Sequence, residues 1–143
     1  ISFTLWQQQN HLNMSEHALA HLYHEGDYAL GAEENISLQQ VNAKLARYGG
    51  ELSEDIGRIY YANYCNFENV HSLHMVMQGK TGKVTVFIMP DTESYALDGK
   101  FKDNKYIGES FDFNRASIVI LGEQDTDVKA VKGKLKKQLL FSA

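Results

Sequence analysis

A chain of 143 residues with 43% apolar and 11% aromatic side chains can bury one sizeable core and is short for two. Its net charge of -4 and isoelectric point near 5.8 offer no basic footprint for a phosphate backbone, so nucleic acid is not an expected partner. Its one cysteine, Cys65, excludes an internal disulfide and leaves the redox compartment open.

The chain opens on Ile1-Ser2-Phe3-Thr4-Leu5-Trp6, followed at once by Gln7-Gln8-Gln9-Asn10. An apolar run that ends in Trp and turns abruptly polar is how a membrane span leaves the bilayer, because the indole ring prefers the interface. Six residues cannot span a bilayer. Residues 1–10 therefore read as the end of a truncated transmembrane segment with its linker, and residues 11–143 as a single soluble α+β domain. An N-terminal strand or packing arm is the other reading of the same six residues.

Three helices are expected. From Ser15 to Glu25 the text SEHALAHLYHE has Ser15 as N-cap, Gly26 as stop, and Ala18, Leu19, Leu22 and Tyr23 on one face. From Ser37, SLQQVNAKLARYGG carries a capping box of Ser37 with Gln40 and apolar residues at Leu38, Val41, Leu45 and Tyr48, and Gly49-Gly50 ends it. Near the C-terminus, Asp125 and Asp127 precede Val128, Val131, Leu135 and Leu139, with Lys129, Lys132, Lys134, Lys136 and Lys137 on a solvated face that suits the helix dipole. Gly133 weakens this helix by about 1 kcal/mol relative to alanine.

Strands are expected between the second and third helices. Ile59 to Tyr64 is aromatic and β-branched, and Leu73 to Gln78 and Lys83 to Met89 flank Gly79-Lys80-Thr81-Gly82, a connection of hairpin length. Ser117 to Gly122 is nearly all apolar, as in a strand covered on both faces. Tyr95 to Phe113 reads as an exposed loop with one strand near Tyr106 to Phe113. The fold class that follows is α+β: an antiparallel sheet of about four to five strands with two N-terminal helices and one C-terminal helix.

Two constellations could carry chemistry. Cys65, His71 and His74 form a candidate ligand-binding group, since a cysteine with a histidine suffices for a thiolate nucleophile or half a metal shell. In a strand, alternation sends His71 and His74 to opposite faces, so one ion could use both only if His71 lay in the preceding loop. Cys65 as a small buried hydrophobe, His74 as a core histidine and the methionines as filler is the bland alternative. His17, His21 and His24, at i, i+4 and i+7, lie within about 60° of one another on a helix and form a candidate metal group on an exposed face, or simply a polar face. The Glu of H-E-x-x-H is missing, so a zinc protease is not suggested, and no nucleophile motif supports an enzyme.

The block VNAKLARYGGEL followed by YYANYCNFENVHSLHMVMQGKTGKVTVFIMP resembles the extracytoplasmic domain of a family of proteobacterial membrane proteins of unknown function, encoded beside extracytoplasmic-function sigma factors. Its layout is similar to the outer domains of membrane-anchored anti-sigma factors: a helix ending in Gly-Gly, a strand, a Cys-containing turn, and a strand pair joined by Gly-Lys-Thr-Gly with Pro90 after it. In some relatives a proline follows the cysteine, whereas Asn66 follows Cys65 here. The resemblance implies an inner-membrane protein with this domain in the periplasm, a transmembrane helix, and a cytoplasmic segment that binds a sigma factor or relays a signal. It carries over no catalytic residues. The function expected is thus a non-catalytic sensory or interaction domain without a cofactor, with self-association into a homodimer left open. The alternative is a small metal- or haem-binding protein using Cys65, His71 and His74.

Overall fold

The computed structural model describes residues 14–67, 70–90 and 99–142, without the side chains of residues 14, 25–27 and 67. Residues 1–10, read above as a membrane stub and linker, lie outside the described residues, as do residues 95–98 of the expected loop. Among the described residues no helix is long and apolar enough to cross a membrane.

The elements in order are α1 (Met14–Gly31), α2 (Leu38–Leu45), a 3-10 turn (Ala46–Tyr48), β1 (Gly50–Leu52), β2 (Ile59–Phe67), β3 (Val70–Gln78), β4 (Lys83–Pro90), β5 (Gly99–Lys102), β6 (Tyr106–Phe113), β7 (Ala116–Glu123), α3 (Val128–Gln138) and β8 (Leu139–Phe141). The α+β class stands. Among the described residues there are four helices rather than three, one of them the 3-10 turn, and six strands in the main sheet rather than four to five. A second, two-stranded sheet pairs β1 with β8. The extra strands are short. GKFK and the two three-residue strands show too little alternation to announce themselves, and they become strands because a partner edge accepts their backbone groups.

The main sheet runs β2-β3-β4-β7-β6-β5, with every neighbouring pair antiparallel. β3 and β4 pair as the expected hairpin, Gln78 opposite Lys83. β4 and β7 sit in the middle, and nearly all of their residues are buried, because both faces of the sheet are covered. On one face α2 and α3 press Val41, Leu45, Val131 and Leu135 against Leu73, Met75, Val86, Ile118 and Ile120, which is the larger core. On the other face α1 lays Ala18 and Leu22 over Phe87, Met89, Val119 and Leu121, and Ala29 over Tyr60 and Val76.

Local signals explain the best-defined helix ends. Ser37 Oγ accepts from the Gln40 amide at 3.1 Å while Gln40 Oε1 accepts from the Ser37 amide at 2.8 Å, which is the expected capping box. The turn after α2 closes at Gly49, whose φ of 74° favours glycine. Asp127 caps α3 by accepting from the Ala130 amide at 3.2 Å.

Three expectations are corrected. The stop at Gly26 is overridden, and α1 runs on to Gly31. Ala29 and Leu30 continue the sheet-facing stripe, while Lys83 donates to the carbonyls of Leu30 at 2.6 Å and Ala32 at 3.2 Å. Together these outweigh the cost of about 1 kcal/mol for an interior glycine. Leu139 does not continue α3 but starts β8, opposite Leu52. The lysine face is solvated at Lys129, Lys134, Lys136 and Lys137, but Lys132 is half-buried, pairing with the buried carboxylate of Glu109 and lying 4.8 Å over the Phe111 ring.

Gly133 is exposed, and a Cβ built there meets nothing within 4 Å. Gly133→Ala is expected to stabilise the chain by about 1 kcal/mol through helix propensity alone, seen in thermal unfolding as a midpoint raised by about 3 °C. An unchanged or lowered midpoint would contradict it.

Candidate functional site

β2 and β3 pair with Asn63 opposite His74 and Cys65 opposite Ser72. Alternation then sets the faces. Leu73, Met75 and Met77 enter the larger core, so His71 shares their side and His74 points to α1. The pairing slips between Ile59 and Tyr61, and both Tyr60 and Tyr61 pack beside Ala29 of α1.

His74 is the centre of the seam between α1 and the sheet. It is 2% exposed, and its ring lies 4.4 Å from that of Phe87 at an interplanar angle of 30°. It meets His21 of α1 edge-on at 5.4 Å and Tyr61 edge-on at 5.4 Å. His21 in turn stands edge-on to Phe87 at 5.5 Å. His74 Nε2 has no hydrogen-bond partner among the described residues. Burial, and secondarily the neighbouring His21, push its pKa down to about 3, so the ring is neutral at ordinary pH.

A pocket of about 380 Å³ opens at this seam, lined by His21, His24, Tyr28, Ala29, Tyr61, Tyr64, Cys65 and His74. The two constellations of the sequence are thus partly merged. His21 and His24 from one join Cys65 and His74 from the other. His17 and His71 are left out. Among the described residues no group of three or more His, Cys, Asp or Glu side chains is arranged to hold a metal ion. A groove of about 480 Å³ between β5, β6 and the start of α3 is larger, but its buried carboxylate, Glu109, is already engaged by Lys132.

His71 is not in a loop, the arrangement that would have let it share an ion with His74. It lies within β3, on the far face. There its Nδ1 hydrogen-bonds the Tyr48 hydroxyl at 2.8 Å, and its ring lies 4.5 Å from that of Tyr64. Burial and the nearby Arg47 cation lower its pKa, and burial raises that of Tyr48. The exposed histidine face of α1 is also corrected: His24 is exposed, but His17 and His21 are half-buried. The expected face of Ala18, Leu19, Leu22 and Tyr23 is turned: Ala18 and Leu22 are buried, but Tyr23 is 57% exposed, and the buried stripe runs through Ser15, Ala18, Leu22 and Ala29, which brings His21 to its margin. Small residues let the helix lie close to the sheet, and being small they leave a faint hydrophobic signal.

Tyr28, Tyr61, Tyr64 and Phe87 were not singled out in the sequence. Period-two alternation along β2 and β4 points to Tyr61 and Phe87; nothing local marks Tyr28, which is 79% exposed. Two further contacts seat α1. Lys83 clasps its C-terminal carbonyls, and the Tyr23 hydroxyl donates to Asp103 Oδ2 at 2.6 Å.

The fold and the seam define a three-layer α+β domain in which one helix is held to a sheet over a pocket of imidazoles and phenols. The profile of a family described as a protein of unknown function (DUF3379) matches residues 1–139, and the chain belongs to that family. No curated protein matches the chain.

Proposed function

We propose that the chain is the extracytoplasmic sensory or interaction domain of a membrane-anchored regulator resembling anti-sigma factors, and that it works by changing conformation rather than by turning over a substrate. The observation that carries this reading is the position of α1. It is the described element nearest the apolar run Ile1–Trp6, and it packs over β2, β3, β4, β6 and β7 on one face of the sheet through a seam that contains a pocket. A shift in how α1 sits would be passed directly to the segment before it. A ligand or condition drives such a shift only if it interacts differently with the two states, and the seam is where that difference would arise. The resemblance of Val41 to Pro90 to outer domains encoded beside sigma factors supports the location and the class of partner.

The test is a fusion of alkaline phosphatase, active only outside the cytoplasm, to the C-terminus of the full-length parent protein. Activity in membrane-bound fusion is the expected result. A fusion that accumulates without activity, or is recovered as a soluble cytoplasmic protein, would overturn the reading.

A further inference from the structure

We propose that α1 is an acid-released latch: protonation of His74, in the sheet beneath it, frees the helix from the sheet. The proposal rests on the sensory reading above and names the signal for it.

The geometry supplies the device. His74 is closed between Phe87 of β4, Tyr61 of β2 and His21 of α1, and its Nε2 lacks a hydrogen-bond partner among the described residues. Among the described side chains, the titratable groups facing it are His21, His24 and Tyr28 from α1, and Tyr61 and Cys65 from β2, the ring of Tyr64 lying on the opposite face against His71; β4 contributes Phe87. Among the described residues no carboxylate lines the pocket, so an imidazolium formed at His74 meets no counter-charge from them and stands beside a second imidazole. A buried charge without a partner is strongly unfavourable. Lifting α1 admits water to the ring and removes the conflict.

The direction of the effect follows from linkage. With α1 seated, His74 holds its proton only near pH 3; with α1 lifted, it titrates near the ordinary value of about 6.5. The released state binds more protons throughout that window. Release therefore gains about tenfold per pH unit below about 6.5, and pH has no such effect above it. The other anchor is not the one that gives way first. Burial raises Asp103, but the hydrogen bond from Tyr23 and those from the Tyr106 and Lys105 amides outweigh it and leave its pKa below the usual carboxylate value. Lys83 clasps the C-terminal end of α1, so the helix pivots from there.

Hydrogen exchange followed by mass spectrometry on the 143-residue chain tests this at pH 7.5 and 5.0, after correction for intrinsic exchange. Because His71 on the opposite face also has a lowered pKa, the readout is local and not the global melting point. Protection of residues 14–31 is expected to fall roughly 30-fold more than that of β4 and β7, since pH 5.0 lies about 1.5 units below the free imidazole value. His74→Phe, or His74→Gln should that variant fold better, is expected to abolish the selective loss. Equal protection of α1 at the two pH values in the native chain, or a loss undiminished in whichever variant folds, overturns the latch. The phosphatase fusion is independent of both results: an active fusion with an unresponsive helix removes acid as the signal and leaves the sensory reading standing.

Discussion

Phe87→Ala is expected to remove about 3–5 kcal/mol of stability, the cost typical of emptying a fully buried aromatic site. Phe87 is 0% exposed and underlies both imidazoles of the seam, 4.4 Å from His74 and 5.5 Å from His21. Its removal takes away the floor on which α1 rests as well as its own buried area. The loss should appear as a thermal midpoint lowered by roughly 10 °C, together with faster exchange across α1 than across α2, which packs on the opposite face. Phe87→Leu keeps most of the volume and should cost less than half as much. A Phe87→Ala protein within about 1 kcal/mol of the native chain would show that the α1 face contributes little to the core.

Gly108→Ala is expected to cost about 2–3 kcal/mol or more, although it only adds a methyl group. A Cβ at Gly108 would lie 2.5 Å from the Ile120 carbonyl oxygen, 2.6 Å from Phe101 Cζ and 2.8 Å from Leu121 Cδ2. The Phe101 ring tip can swing aside, but the carbonyl belongs to the neighbouring strand β7 and cannot move without straining the ladder in which Gly108 lies opposite Leu121. Denaturant titration should show a lower midpoint with an unchanged slope. Retention of native stability would mean that β6 and β7 are held less tightly than their pairing implies. The same change at Gly133, in open space on α3, is expected to have the opposite sign, so the surroundings and not the residue decide the outcome.

Much of the fold was legible because its signals are local. The capping box at Ser37, the Gly-Gly stop, the glycine-bounded hairpin between β3 and β4, and the apolar run of β7 each arise from neighbours in sequence. So does the placement of His71 and His74 on opposite faces, which needs only the two-residue period of a strand. The short strands β1, β5 and β8 were not legible, because three or four residues carry no periodicity and are stabilised only by the edge they join.

The candidate site was legible in its residues but not in its grouping. The sequence by itself put His74 in a strand, His21 and His24 on a helix, and the domain in the α+β class, but it read Cys65 as lying in a turn, whereas Cys65 lies inside β2 opposite Ser72. Only the tertiary structure decided that α1 turns its alanine-marked stripe to the sheet, bringing His21 against His74 and closing an imidazole in an aromatic seam. The reason is physical: a helix chooses its buried side by how closely it can approach the surface beneath it, and that depends on residues far away along the chain.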